Sequence, residues 1–186
     1  NHRFVEIDIS AYHPSLVASL VSYNFPTSDI HGHFASLYNV DYKKSKELTF
    51  KQLYGGVFES YRGLEFFKKV QEFINETWVI FKNEGYIECP ISNFVYTNEG
   101  LENMNPQKLF NYILQNMETS TNVLILWDIF NVLKKYKTKL VLYTYDSFLL
   151  DYHEEDKDVL NKIREIFKKY KLNIKENEGY DYNFTG

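Results

Sequence analysis

The chain opens on strict alternation. Val5, Ile7 and Ile9 fall on one side of the segment Phe4 to Ile9, and Phe4, Glu6 and Asp8 on the other. That period of two predicts a half-buried strand with Asp8 at its end, opposite the apolar face. Pro14 suits the first turn of a helix that Ser15 to Ser22 continues. After a loop from Asn24 to Ser28, Ser28 or Asp29 can cap a helix to about Tyr38. The next helix spans about Tyr42 to Tyr54 and stops at Gly55-Gly56. Lys43, Lys46 and Phe50 recur there at helical spacing with Tyr54 one turn further, so one face carries cations and aromatics. Leu64 to Asn83 is a long amphipathic helix ended by Gly85, and Tyr86 to Thr97 reads as a hairpin around Pro90 and Asn93. Beyond a polar loop, Asn98 to Asn105, Pro106 starts the longest helix, with an apolar stripe from Leu109 through Ile113 and Met117 to Leu133. Leu140 to Thr144 and Phe148 to Tyr152 are strand-like runs joined tightly around Tyr145-Asp146-Ser147. Asp156 to Lys169 is a charged amphipathic helix, and Leu172 to Lys175 a short last strand. Together these elements predict an α+β fold, an antiparallel sheet backed by helices.

With 186 residues and 44% hydrophobic content, the chain can bury one sizeable core, as one domain or two interlocked subdomains. No apolar run reaches the roughly 18 residues of a membrane helix, so no membrane partner is expected. Cys89 is the single cysteine. It excludes a disulfide framework, argues against a structural zinc site, and points to a reducing, cytoplasmic setting in a bacterial cell or phage-infected host, with an organelle as the lesser alternative. The start at Asn1-His2-Arg3-Phe4, without an initiator Met, leads us to expect the C-terminal piece of something longer. Lys in excess of Arg, with abundant Asn, Tyr and Phe, suggests AT-rich coding, as in a phage, a virus or an AT-rich bacterium. The net charge of −4 lacks the basic stripe of a whole nucleic-acid-binding protein. A fragment that holds acidic catalytic residues, with its DNA-gripping parts elsewhere, would have this balance.

The candidate chemistry centres on two acids in similar settings, Asp8 at a strand end and Asp146 in a tight hairpin. Two such carboxylates can hold a pair of divalent cations for phosphoryl transfer, one activating an attacking hydroxyl and the other steadying the leaving oxygen. Hard oxygen ligands suit Mg²⁺. Around them the sequence carries an ordered series: Asp8; Asp29-Ile30-His31-Gly32-His33-Phe34-Ala35-Ser36; Lys46-x3-Phe50-x3-Tyr54-Gly55; Gly85-Tyr86-Ile87-Glu88; Asn111-x3-Gln115; and Leu142-Tyr143-Thr144-Tyr145-Asp146. In order and rough spacing this series resembles the polymerase domain of A-family DNA polymerases over nearly the whole chain. The segments are similar, in turn, to motif A, the DIHxxxAS segment, motif B on the fingers helix, the GYVET strand, a minor-groove amide pair and motif C.

The resemblance implies a palm at residues 1–28 with motif A, fingers helices at 29–85, and a second palm segment at 86–186. It implies template-directed addition of deoxynucleotides to a primer 3′ end. Asp8 and Asp146, with the backbone carbonyl of Ile9, would hold two Mg²⁺ ions. Lys46, Lys43 and His31 would hold the triphosphate, while Phe50 and Tyr54 shape the nascent pair. Asn111 and Gln115, with Tyr145, would contact primer–template DNA, since the minor groove offers acceptors shared by every correct pair. The thumb, the upstream palm and any proofreading exonuclease would lie on a preceding part of the chain. This sequence departs from the family pattern at several places. Tyr42 stands for an Arg, with Lys43 beside it, and Lys51 stands for a Gly. Ala11 and His13 replace the Gln and Glu of motif A, so the gate against the ribose 2′-hydroxyl falls to His13 or to Tyr12 beside it. Ser147 follows the motif C Asp. A single-subunit phage-type RNA polymerase is the nearest rival, through Tyr145-Asp146-Ser147-Phe148 and Asp29-Ile30-His31-Gly32. Phe50 and the large His13 favour DNA. A non-catalytic, polymerase-like DNA-binding module is the alternative from another class.

Overall fold

The computed structural model describes residues 2–99 and 101–181. In chain order the elements are β1 (His2–Ser10), α1 (Tyr12–Leu20), α2 (Ile30–Tyr38), α3 (Tyr42–Gly55), α4 (Glu65–Glu84), β2 (Tyr86–Glu88), β3 (Val95–Thr97), α5 (Pro106–Leu133), β4 (Lys139–Thr144), β5 (Ser147–His153), α6 (Val159–Lys169) and β6 (Asn173–Gly179). They form the expected α+β fold. Two compact units divide the chain, Asn1–Tyr12 with Thr121–Gly186, and His13–Ser120. β2, β3 and the first half of α5 group with the helices.

The sheet unit is built on four antiparallel strands in the order β4-β5-β1-β6. Val5, Ile7 and Ile9 are buried as their alternation requires. Val5 lies opposite Leu150, and Ile7 opposite Phe148. Phe148 in turn meets Phe167 of α6, ring centroids 5.4 Å apart. That helix buries Val159, Leu160, Ile163, Ile166 and Phe167, the stripe that makes it amphipathic. Burying an aromatic pair of this kind stabilises the unit by about 0.5–1.5 kcal/mol beyond its area term. The other side of the sheet takes Glu6 and Asp8.

Two elements differ from the sequence reading. The last strand continues past Lys175 to Gly179. It is an edge strand, so its polar residues pair with β1 through the backbone ladder and need no apolar face. Glu176 is gripped by the Arg164 fork at 2.6 and 2.8 Å, and Glu178 pairs with Arg3 at 3.3 Å. The helix expected from Asp156 begins instead at Val159. Asp156 is diverted to the base of the β4–β5 hairpin, where its Oδ2 accepts from the backbone N–H and the hydroxyl of Thr138, each at 2.7 Å.

In the helical unit, Asp29 and Asp41 cap α2 and α3 by accepting from the backbone N–H groups of Gly32 and Lys44. Phe25, Phe34, Tyr38, Phe66 and Phe67 form an aromatic core, with Phe34 stacked on Tyr38. α3 buries a polar face, Ser45, Thr49 and Gln52, alongside Leu53. Ser45 donates to the His31 carbonyl at 2.8 Å, and Thr49 shares a hydrogen bond of 2.9 Å with the Tyr38 hydroxyl. The amide of Gln52 donates to the Leu48 carbonyl, and its oxygen accepts the Phe58 N–H. Buried polar groups satisfied in this way fix the pairing of α2 with α3.

Candidate functional site

In the sheet unit the two candidate carboxylates are carried by neighbouring strand ends. Asp8 lies opposite Ser147, the first residue of β5, and Asp146 is in the two-residue turn that precedes it. The Ile9 N–H donates to the Asp146 carbonyl at 2.8 Å, which ties the end of β1 to that turn. Tyr145, the other turn residue, has φ 46° and is 76% exposed. A hairpin of two residues favours positive φ to match the twist of its strands.

The face around Asp8 was only partly visible in the sequence. Glu6 shares it, two residues earlier on β1. Ser147 donates its hydroxyl to Glu6 at 3.0 Å, and the Asn177 amide donates to Asp8 at 3.4 Å. Lys175 stands opposite Asp8 on β6. Burial pushes the Asp8 carboxyl above its ordinary range, and the like charges of Glu6 and Asp146 push the same way. A hydrogen bond from Ser147 and the charge of Lys175 oppose them. Among the described residues no three His, Cys, Asp or Glu side chains gather as a ready-made metal site. Asp8 and Asp146 are the residues that could hold a divalent cation, since an ion such as Mg²⁺ takes one or two carboxylates and completes its shell with water and substrate phosphate. A divalent cation would offset the burial and the like charges that raise Asp8. Alternation alone could have flagged Glu6, while Lys175 and Asn177 required the register of β6.

In the helical unit, residues four apart line one face of α3. The Lys46 ammonium lies 5.0 Å from the centre of the Tyr42 ring. Phe50 stacks on Tyr54 at 5.9 Å and 8°. His31, in the first turn of α2, is 6% exposed, with its ring against Tyr42 and Phe50. Lys43 and Lys46 are exposed. The end of α3 is held by α5. Gln107 donates to the Leu53 carbonyl at 2.8 Å, and Asn111 to the Tyr54 carbonyl at 3.0 Å. The helix would otherwise leave these last carbonyls without partners. Gln115 is exposed on the same helix.

The two gate candidates have different surroundings. Tyr12 is 6% exposed, and its hydroxyl donates to Asn122 at 2.6 Å within the sheet unit. His13 belongs to the helical unit, with Nδ1 2.5 Å from the Tyr54 hydroxyl and Nε2 2.6 Å from Glu118. Burial and the charge of Glu118 push the Tyr54 phenol up to about 12. The sequence reading missed Gln107 and Glu118. Glu118 follows Asn111 and Gln115 at helical spacing, so the helix period alone could have placed it on their face.

Within the sheet unit the structure thus brings Asp8, Ile9, Asp146 and Tyr145 together, and leaves Tyr12 in the core. Within the helical unit it gathers His31, Lys46, Phe50 and Tyr54, and joins His13 and Asn111 to Tyr54. No protein-family model matches the sequence, and no curated protein matches it. Among solved structures, the chain is similar to the polymerase domain of Pol1 from M. smegmatis in complex with DNA primer-template and dNTP, with a TM-score of 0.78 over 96% of this chain at 13% sequence identity. The chain spans 40% of the length of that solved chain. At this identity the likeness is one of fold.

Proposed function

We propose that this chain carries the catalytic and nucleotide-binding part of an A-family, template-directed DNA polymerase. The observation that carries this reading is the pairing of β1 with β5, which sets the turn bearing Asp146 beside the end of the strand bearing Asp8. It does so in a fold similar to that of a polymerase domain solved with primer-template and dNTP. Under this reading the sheet unit is palm, and α2 to α4 belong to the fingers.

Asp8, Asp146 and the Ile9 carbonyl would hold two Mg²⁺ ions, which supply an activated primer hydroxyl and a stabilised leaving oxygen when bound. Lys46 and Lys43 supply cationic points for the triphosphate; a Lys ammonium on a flexible stem follows phosphate readily. His31 buttresses Tyr42 and Phe50, between which its ring packs, and contributes to the phosphate side of the same face. Phe50 and Tyr54 form the stacked surface for the nascent pair. His13 guards the sugar. Asn111, which fastens the end of α3, and Gln115 and Tyr145, which are exposed, face primer–template DNA. Closure of such a fingers helix on a correct pair selects substrate before chemistry.

The test is primer extension by the full protein with matched dNTP and rNTP pools. Extension with dNTPs, lost in Asp8→Ala and in Asp146→Ala while both variants keep the wild-type circular dichroism spectrum, is the expected result. Extension with rNTPs alone would make the protein an RNA polymerase. Near-normal extension by either variant would remove these carboxylates from the mechanism.

A further inference from the structure

Tyr54 at the end of α3, His13 in α1 and Glu118 in α5 form one hydrogen-bonded row. His13 Nδ1 lies 2.5 Å from the Tyr54 hydroxyl, and its Nε2 lies 2.6 Å from Glu118 Oε2. The His13 and Tyr54 rings meet edge to face, 5.5 Å apart at 87°. The chemistry of the row has a direction. An ionised carboxylate only accepts, so His13 Nε2 carries the proton and donates it to Glu118. In the neutral ring Nδ1 is then a lone pair, and the Tyr54 hydroxyl donates to it. The carboxylate therefore fixes the imidazole tautomer and, through the ring, the aim of the phenol. The same logic operates where an outer carboxylate orients a metal-bound histidine. Tyr54 is fixed from its other side as well, since its carbonyl accepts from Asn111.

We propose that Glu118 is a positioning residue for sugar selection, holding His13, and through it Tyr54, in the arrangement that admits deoxyribose and rejects ribose. The inference rests on the deoxynucleotide-polymerising reading above, and it extends that reading to a residue outside the motif series. With both ring nitrogens and the phenol proton committed to one another, the row offers no donor to a ribose 2′-oxygen. A 2′-hydroxyl brought against it loses water and gains no partner. Without Glu118 the imidazole can turn over or shift its proton, and either change frees a donor for that oxygen.

The test compares kcat/KM for matched dNTP and rNTP on one primer–template, using the full protein. The variants are Glu118→Ala, Glu118→Gln, His13→Ala and the double variant His13→Ala with Glu118→Ala. Glu118→Ala should reduce the preference for dNTP by about 10-fold, the lower part of the range for a polar group left without a partner, since His13 and Glu118 are half-buried. Glu118→Gln keeps an acceptor for Nε2–H and should restore most of it. In the His13→Ala background, Glu118→Ala should add almost nothing, because the two act as one unit. Nitrogen NMR of the imidazole ring supplies a readout that needs no turnover: His13 should show one tautomer, protonated at Nε2, and Glu118→Ala should show a mixture. An unchanged dNTP preference in Glu118→Ala, additive effects in the double variant, or an Nδ1-protonated ring in the wild type would each overturn the inference. Wild-type protein that extends with neither pool would instead overturn the polymerase reading itself.

Discussion

The hairpin that carries Asp146 is closed at its base by a buried clamp, and the strength of that clamp can be worked out from its contacts. Thr138 precedes β4 and is fully buried, while Asp156, just after β5, is 8% exposed. One carboxylate oxygen accepts both the N–H and the hydroxyl of Thr138 at 2.7 Å, and the same hydroxyl accepts the His153 N–H at 3.1 Å. Asp156→Ala removes one acceptor and strands two buried donors. Each stranded donor costs about 1–3 kcal/mol, and partial relaxation of the hydroxyl brings the sum to about 2–4 kcal/mol. For a chain of this size that is a fall in Tm of about 5–12 °C. Asp156→Asn retains an acceptor and loses only the charge assistance, which makes the loss about 1 kcal/mol. Thermal and urea unfolding followed by circular dichroism at pH 7 measure both. Acid supplies a second reading. Burial pushes the Asp156 carboxyl up, but its hydrogen bonds from Thr138 outweigh burial and hold it below its ordinary value of 3.8. A depressed folded value means the stabilisation is complete above the unfolded value and is lost as pH falls through the folded one. The gap between wild type and Asp156→Ala should therefore narrow below about pH 4. An Asp156→Ala variant within about 0.5 kcal/mol of wild type, or a gap that widens in acid, would refute the clamp.

Two further outcomes follow from the same kind of accounting. The Asp8 carboxyl is raised by burial and by its acidic neighbours, so the folded state pays to ionise it, and that penalty vanishes as pH falls below the unfolded value. Asp8→Asn should accordingly raise Tm at pH 7 by about 1–4 °C while abolishing primer extension; a lower Tm would contradict the electrostatic reading of that face. Cys89 is 1% exposed, and burial pushes its thiol up to about 11. In native protein at pH 8 a disulfide reagent should label it at least about 100-fold more slowly than in urea, and comparable rates would place that thiol at the surface.

The readable parts of this chain are those where one period dominates. β1 announced itself by alternation, and the partner runs of β4 and β5 by a tight turn between apolar segments. The capping Asp29, the stops at Gly55-Gly56 and Gly85, and the stripe of α5 are local signals, and the helices lie where those signals set them. The positions of Asp8, near the end of β1, and of Asp146, in the turn before β5, were legible because each closes such a segment. The rest depended on contacts between distant segments. α3 buries Ser45, Thr49 and Gln52, a polar face that no hydrophobic pattern marks. The extension of β6 to Gly179 comes from its ladder with β1, and pairing of this kind leaves no trace in the residues of an edge strand. Asp156 carries the right chemistry for a helix start, yet Thr138, 18 residues earlier, takes it. Glu118 needed the fold to bring α5 to His13.

Backbone strain sharpens the assignment of the exposed turn. The chain leaves β1 for α1 through a single residue, Ala11, at φ 48°, and crosses from β4 to β5 through Tyr145 at φ 46°. Both lie in the left-handed region, within three residues of a candidate carboxylate. An abrupt exit is what allows Asp8 and Asp146 to stand at strand ends, and the hydrogen bond from Ile9 to the Asp146 carbonyl fastens one exit to the other. Left-handed backbone costs an L-residue about 1–2 kcal/mol, which a glycine at either position would avoid. Ala11 adds only a methyl group to the turn. Tyr145 adds a large ring that is 76% exposed, so little of it is recovered as burial. The clamp at Thr138 and Asp156 and the buried row of β1 offset the cost, and they would do so equally well with glycine in the turn. A ring kept in water at a conformational cost is not there for the core. In the proposed function that exposed ring is the one offered to the primer–template.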